Sequence, residues 1–184
     1  MAKTKVLGLC GSLRVDSWNL KLLRNFLRTL DGGEFSTSLY NSLELPLMNE
    51  DLEKKPLDQR ILDFRSAVTE APIIVCASPE YNGSLSPALK NAIDWATRPP
   101  GNLWQGKIAV LLSASPGSLG GARGLIHLRT VLSGIKTWVI PEQVQCAAAH
   151  EAFDASGTLK NEGVHKQMLG AMQSLEVFTK KMLS

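Results

Sequence analysis

The residues best equipped for chemistry lie near the start of the chain, in Gly11-Ser12-Leu13-Arg14-Val15-Asp16-Ser17-Trp18-Asn19. Two hydroxyls, an amide and a guanidinium stand there side by side. Ahead of them, Lys5 to Cys10 is a short apolar run and reads as a buried strand. Behind them, Leu23, Phe26, Leu27 and Leu30 recur at intervals of three and four, which reads as an amphipathic helix over Leu20 to Leu30. A loop between a buried strand and a helix N-terminus carries backbone N–H groups without partners, and the helix dipole adds partial positive charge. That arrangement suits an anion, and arginine meets two phosphate oxygens at once. The loop is neither G-x-x-x-x-G-K-[ST] nor G-x-G-x-x-G, so it supports neither a nucleoside triphosphate nor a dinucleotide held through its pyrophosphate. The hydroxyl-rich pattern suits a terminal phosphate. The same residues also make an ordinary turn with Ser17 as N-cap.

Two later loops share the Gly, Ser, Asn and Pro content: Pro79-Glu80-Tyr81-Asn82-Gly83-Ser84, and Ala114 to Gly121 with Ser115. Other reaction classes find little support. His127, His150 and His165 have no metal-ligand spacing, and no metal site is expected. Among three cysteines there is no C-x-x-C; Cys10 and Cys76 fall in or beside apolar strands and read as small hydrophobes. No Ser–His–Asp or Cys–His set offers a nucleophile. The net charge of +3 comes from scattered residues with no basic stripe, so nucleic acid is not an expected partner.

The elements that must position these loops follow in order. Asp31-Gly32-Gly33 stops the first helix. A second strand is expected over Phe35 to Leu45. A helix follows with Pro56 near its first position and Leu57, Ile61, Phe64 and Val68 on its apolar face. Pro72 to Ser78 reads as a strand covered on both sides. Ser86 and Pro87 open a helix over Ala88 to Thr97, and Arg98 to Gly106 is a loop. Lys107 to Ser113 is the fourth strand, and Leu125, Leu128, Leu132 and Ile135 mark the next helix. Thr137 to Cys146 is a fifth strand interrupted by Pro141, and a last helix runs from about Gly163 to about Leu183. Alternating strands and helices predict an α/β fold, a doubly wound five-stranded parallel sheet of flavodoxin-like order 2-1-3-4-5. The three loops follow strands 1, 3 and 4, so all would meet at the strands' carboxyl ends. A hydrophobic share of 44% supports a full core, and no apolar run reaches membrane-span length. The N-terminal residues enter a strand without a signal-peptide pattern, and a cytoplasmic location is expected.

Placed in order, G-S-L-R-x-x-S-x-N at Gly11 to Asn19, P-E-Y-N-G-S at Pro79 to Ser84 and L-K-N-A-I-D-W at Leu89 to Trp95 resemble the NADPH-dependent FMN reductases. G-G-A-R at Gly120 to Arg123 and H-L-R at His127 to Arg129 fit the quinone and chromate reductase branch. The resemblance runs from the first strand to the fifth and weakens after about Glu142. It implies one flavodoxin-like FMN-binding domain over residues 1–184. FMN phosphate would be held by Ser12, Arg14, Ser17, Trp18 and Asn19, within the Gly11 to Asn19 motif that also contains Leu13. Pro79, Glu80, Tyr81 and Asn82 would lie along the isoalloxazine, with Gly83 and Ser84 beside it, and Ser115 would complete the pocket. Trp18 stands where the family often has phenylalanine, and Pro116 departs from this branch. The cofactor would carry the chemistry. NADPH or NADH would reduce it, and a quinone, flavin, azo compound or metal oxyanion would take two electrons in ping-pong fashion. A homodimer or homotetramer is implied, with Trp95 and Trp104 as apolar surface for it; Trp95 also reads as buried at a core contact. Glu80 would face solvent or a neighbouring subunit; Arg123 and Arg129 would be solvated or would touch nucleotide or partner. The alternatives are a flavodoxin-like FMN electron carrier without NAD(P)H turnover, and an interaction module with a vestigial pocket.

Overall fold

A computed structural model describes residues 3–182. Met1, Ala2 and Ser184 lie outside the described residues, as does the expected helix end at Leu183. The strands are β1 (Thr4–Cys10), β2 (Phe35–Leu39), β3 (Ile73–Ala77), β4 (Ile108–Ala114) and β5 (Trp138–Cys146). The helices are α1 (Trp18–Leu30), α2 (Gln59–Glu70), α3 (Pro87–Trp95), α4 (Ala122–Gly134) and α5 (Glu162–Met182). All strand pairs are parallel, in the order β2-β1-β3-β4-β5. This is the expected doubly wound topology.

Alternation along the strands divides the core in two. Val6 of β1, Val75 and Ala77 of β3 and Val110 and Leu112 of β4 pack with α1 and α5. Leu7 and Leu9, Ile74 and Cys76, and Ala109 and Leu111 pack with α2, α3 and α4. Both faces of β3 and β4 are therefore buried, which explains their unbroken apolar sequences. From β1 the chain first crosses to β2 and then returns to the other side for β3. That reversal opens a crevice at the carboxyl ends of β1 and β3.

The element ends differ from expectation in informative ways. β2 stops at Leu39 instead of Leu45, because Gly8 is the last β1 residue paired with it. Tyr40 donates one more bond to the Gly8 carbonyl at 3.0 Å, and the chain leaves the sheet. Helix α2 starts at Gln59, not near Pro56: Asp58 is the N-cap, and its carboxylate accepts from the Arg60 N–H at 2.9 Å. Pro141 does not end β5. It falls where the β4–β5 register shifts, between the Ala109 and Leu111 pairings, and β5 is an edge strand that tolerates a missing donor. Arg129 of α4 donates to the carbonyls of Ile140 and Pro141 at 2.8 and 3.1 Å. It is thus a tie between α4 and this bulge, not a solvated or nucleotide-facing charge.

Trp95 and Trp104 do not form the apolar surface expected for self-association. Both are 0% exposed within the single chain. Trp95 Nε1 donates to the Pro46 carbonyl at 2.7 Å, and the buried Arg65 donates to the Trp95 carbonyl at 2.6 Å. They anchor the 46–49 and 98–106 segments to α3.

Candidate functional site

At the carboxyl end of the sheet, the loops after β1, β3 and β4 border one cleft. Ser12, Arg14, Ser17, Trp18 and Asn19 line it from the first, Pro79, Glu80 and Tyr81 from the second, and Ala114, Ser115 and Pro116 from the third. The loops predicted to meet do meet. A broader hollow lies at the other end of β4 and β5, between Gln105, Ser133, Lys136 and Trp138. It lies by the C-terminal end of α4, whose last carbonyls accept from the N–H groups of Ile135, Lys136 and Thr137, and none of the three loops reaches it.

The first loop has the features of an anion cradle. Ser17 caps α1, its Oγ accepting from the Leu20 N–H at 3.2 Å. The backbone N–H groups of Ser12, Leu13, Ser17, Trp18 and Asn19 find no partner among the described residues. The Arg14 guanidinium lies over the Trp18 ring, 5.5 Å from its centroid. Gly11 has a different part. Its N–H extends the sheet by donating to the Ala77 carbonyl at 2.8 Å, and a Cβ there would lie 2.3 Å from Ser86 Oγ. Only glycine lets this loop approach the α3 N-cap so closely. Leu13 is exposed and does not line the cleft.

Asn19 also has a part that spacing does not reveal. Its side chain is buried and doubly bonded to Ala114: Nδ2 donates to the carbonyl at 2.9 Å, and Oδ1 accepts from the N–H at 3.0 Å. It clamps the first turn of α1 to the end of β4 and so fixes the distance between the first and third loops. Ala114 and Pro116 line the cleft although they were not among the expected site residues.

The second loop is a rigid hairpin. Tyr81 and Ser84 exchange both backbone hydrogen bonds at 3.0 Å. Asn82 and Gly83 between them have φ of 52° and 76°, the two positive values a type I′ turn requires. Glu80, Asn82 and Gly83 keep backbone N–H groups without partners among the described residues. Asn82 and Gly83 belong to the loop but do not line the cleft.

Glu80 turns inward, against the expectation that it faces solvent or a neighbour. Its side chain is 9% exposed. Oε1 accepts from Arg123 Nε at 2.9 Å and Oε2 from the Gly124 N–H at 3.0 Å, at the first turn of α4. Burial opposes ionisation, but the Gly124 N–H and the Arg123 guanidinium outweigh it and hold the carboxyl below its ordinary range. His127, one turn along α4, places Nδ1 3.3 Å from Ser84 Oγ.

The third loop is tied to β5: Ser115 N–H donates to the Cys146 carbonyl at 3.0 Å, and Ser115 Oγ accepts from the Gly117 N–H at 3.2 Å. Burial pushes the Cys146 thiol up to about 11 and the Cys76 thiol up to about 12. Burial also raises Cys10 against the opposing pull of its loop neighbours. These thiols stay protonated near neutrality and offer no nucleophile.

A cleft of this kind, at the switch point of this sheet order and bordered by these three motifs, can be compared with known proteins. The family model of NADPH-dependent FMN reductases matches residues 4–151. The chain belongs to that family. The matched span takes in the whole sheet and every loop of the cleft, and ends before α5. An NAD(P)H-dependent FMN reductase of Pseudomonas aeruginosa is 35% identical over 179 residues, covering 97% of this chain and 96% of its own. An NADPH:quinone oxidoreductase of Arabidopsis thaliana is 36% identical over 183 residues, covering 95% and 91%. Among solved structures, the NAD(P)H:(acceptor) oxidoreductase FerB of Paracoccus denitrificans superposes with a TM-score of 0.84 at 33% identity, covering 97% of this chain and 98% of its own. No helix among the described residues of this FMN reductase family member is long and apolar enough to cross a membrane.

Proposed function

We propose that the chain is an NAD(P)H-dependent FMN oxidoreductase that reduces quinones and related flat two-electron acceptors. The observation that carries this reading is the cradle of unpartnered backbone donors on the β1–α1 loop, faced across one cleft by the Pro79 to Tyr81 stretch. The set on the β1–α1 loop lies with Ser12, Ser17 and Arg14 and suits a phosphate monoester. The unpartnered N–H of Glu80 suits the polar edge of a flat ring, with Pro79 and Tyr81 offering apolar surface beside it. FMN carries both features, so the residues present fit it. Ser12, Arg14, Ser17 and the N-terminus of α1 would hold its phosphate. Glu80 would bind through its backbone N–H, and Ser115 would close the third side.

FMN held here would supply two-electron redox chemistry between NADPH or NADH and the acceptor. The chain's own part is to bind and orient. Trp18, Pro79, Tyr81 and Pro116 give the cleft an apolar rim. Such a rim favours flat apolar molecules over one dedicated substrate, which also suits a flavin or azo acceptor. Donor and acceptor would use the same open side in turn.

The test is kinetic. Anaerobic mixing of the flavin-loaded protein with NADPH should bleach the flavin. Initial rates with varied NADPH at several fixed benzoquinone concentrations should give parallel double-reciprocal lines. Failure to bleach would mark an electron carrier, and intersecting lines would show that donor and acceptor bind together.

A further inference from the structure

We propose that the Glu80 side chain is a positioning residue for the flavin ring: it holds the Pro79 to Ser84 hairpin against α4, so that the stretch lining the cleft, Pro79 to Tyr81 with the free Glu80 N–H, is preset there. The inference rests on the FMN reading above and assigns a role to a carboxylate that does not itself meet the ring.

Three observations carry it. First, the carboxylate is almost fully withdrawn from solvent, and both its oxygens are engaged by α4, one by Arg123 Nε and the other by the Gly124 N–H. A carboxylate at a helix N-terminus also meets the favourable end of the dipole. Second, the hairpin and α4 are in close contact. A Cβ on Gly124 would lie 3.0 Å from the Ser84 carbonyl oxygen and 3.2 Å from Glu80 Cβ. Third, the hairpin is internally rigid through the Tyr81–Ser84 bonds, so it moves as one body. Its orientation therefore depends on its anchors to the rest of the fold. One is the chain entering from Ser78, whose Oγ accepts from the Ser86 N–H at 3.0 Å. The other is Glu80.

Loosening Glu80 lets the Pro79 to Tyr81 stretch and its free N–H sample more orientations, and binding the ring then has to order them. Donors preset toward the ring also stabilise the negative charge it acquires on reduction. Loss of the anchor therefore weakens flavin binding and makes the midpoint potential more negative. The phosphate loop is untouched, because its donors sit on α1 and the loop before it, not on the hairpin.

The experiment compares FMN with riboflavin, which lacks the phosphate. Apoprotein of the wild type, Glu80→Gln, Arg123→Met and Arg123→Lys is titrated with each flavin, and the midpoint potential of each FMN complex is measured. Glu80→Gln should weaken FMN and riboflavin by the same factor, about three- to tenfold for one or two lost hydrogen bonds, and shift the potential to more negative values. Arg123→Met keeps the Gly124 bond and should shift both readouts the same way by less, while Arg123→Lys should restore part of the loss. If Glu80→Gln does not fold, the Arg123 pair decides alone. Wild-type affinities and potential in both Glu80→Gln and Arg123→Met would overturn the proposal, as would a loss confined to FMN. A wild-type protein that binds neither flavin would instead overturn the functional reading itself.

Discussion

Replacing Arg14 with alanine should weaken FMN binding about ten- to a hundredfold, while flavin already bound reacts with NADPH at close to the wild-type rate. Arg14 lies against the Trp18 ring in the cleft, and its guanidinium donors engage no carboxylate among the described residues. A charge-assisted hydrogen bond contributes about 1.5–3 kcal/mol, and each 1.4 kcal/mol is a factor of ten in affinity. The phosphate end is separated from the ring by the length of the ribityl chain, so the loss should fall on binding and not on electron transfer. Arg14→Lys should recover only part of it, because an ammonium lacks the planar two-pronged fork. Isothermal titration of the apoproteins with FMN measures the effect. An unchanged dissociation constant in Arg14→Ala would remove the residue from the site.

The second large effect is expected at Gly121, where a methyl group has nowhere to go. This residue opens α4 with φ of 84°, and its Cβ would lie 1.9 Å from Ser113 Oγ and 2.7 Å from Ser113 Cβ. Ser113 cannot easily yield, since it is fully buried and its Oγ donates to the Ser78 carbonyl at 2.6 Å. That bond ties the ends of β3 and β4 together just before the Pro79 hairpin and the Ser115 loop. Gly121→Ala therefore adds both a left-handed backbone penalty and an overpacked contact. Together they should cost about 2–4 kcal/mol, which lowers the midpoint of thermal unfolding by about 5–15 °C for a chain of this size. Gly134 is the control, because a Cβ added there would meet nothing within 4 Å. Its alanine variant should unfold within a few degrees of wild type. Equal unfolding midpoints for the two variants would contradict this account.

Much of the architecture is legible in the sequence because its causes are local. The apolar runs at β1, β3 and β4 and the caps at Ser17 and Ser86 each follow from neighbouring residues. The loops after β1, β3 and β4 could be placed together because strand order follows from the alternation of elements. What the sequence leaves hidden is determined across long separations. Where β2 ends depends on where β1 stops offering partners at Gly8. Asn19 reads as a phosphate ligand by spacing, yet its amide is held by Ala114, far along the chain. Glu80 reads as solvent-facing in a polar loop, yet it is drawn in by the first turn of α4. Arg129 reads as a free helix charge, yet the β5 bulge supplies carbonyls for it. Trp104, beside a Pro-rich stretch, reads as sticky surface and is core, while Trp95 on α3 reads as either core or dimer contact and is core.

The measurement that tests the central claim most directly is the identity and amount of the chromophore released on denaturation. Purified protein, reconstituted with FMN where needed and freed of excess, is unfolded and the supernatant resolved by chromatography. The account predicts one FMN per chain, released without covalent attachment, because the cleft offers a cradle for one terminal phosphate and lacks the glycine pattern of a dinucleotide site. Recovery of FAD in place of FMN, or of no flavin even after reconstitution, would contradict it.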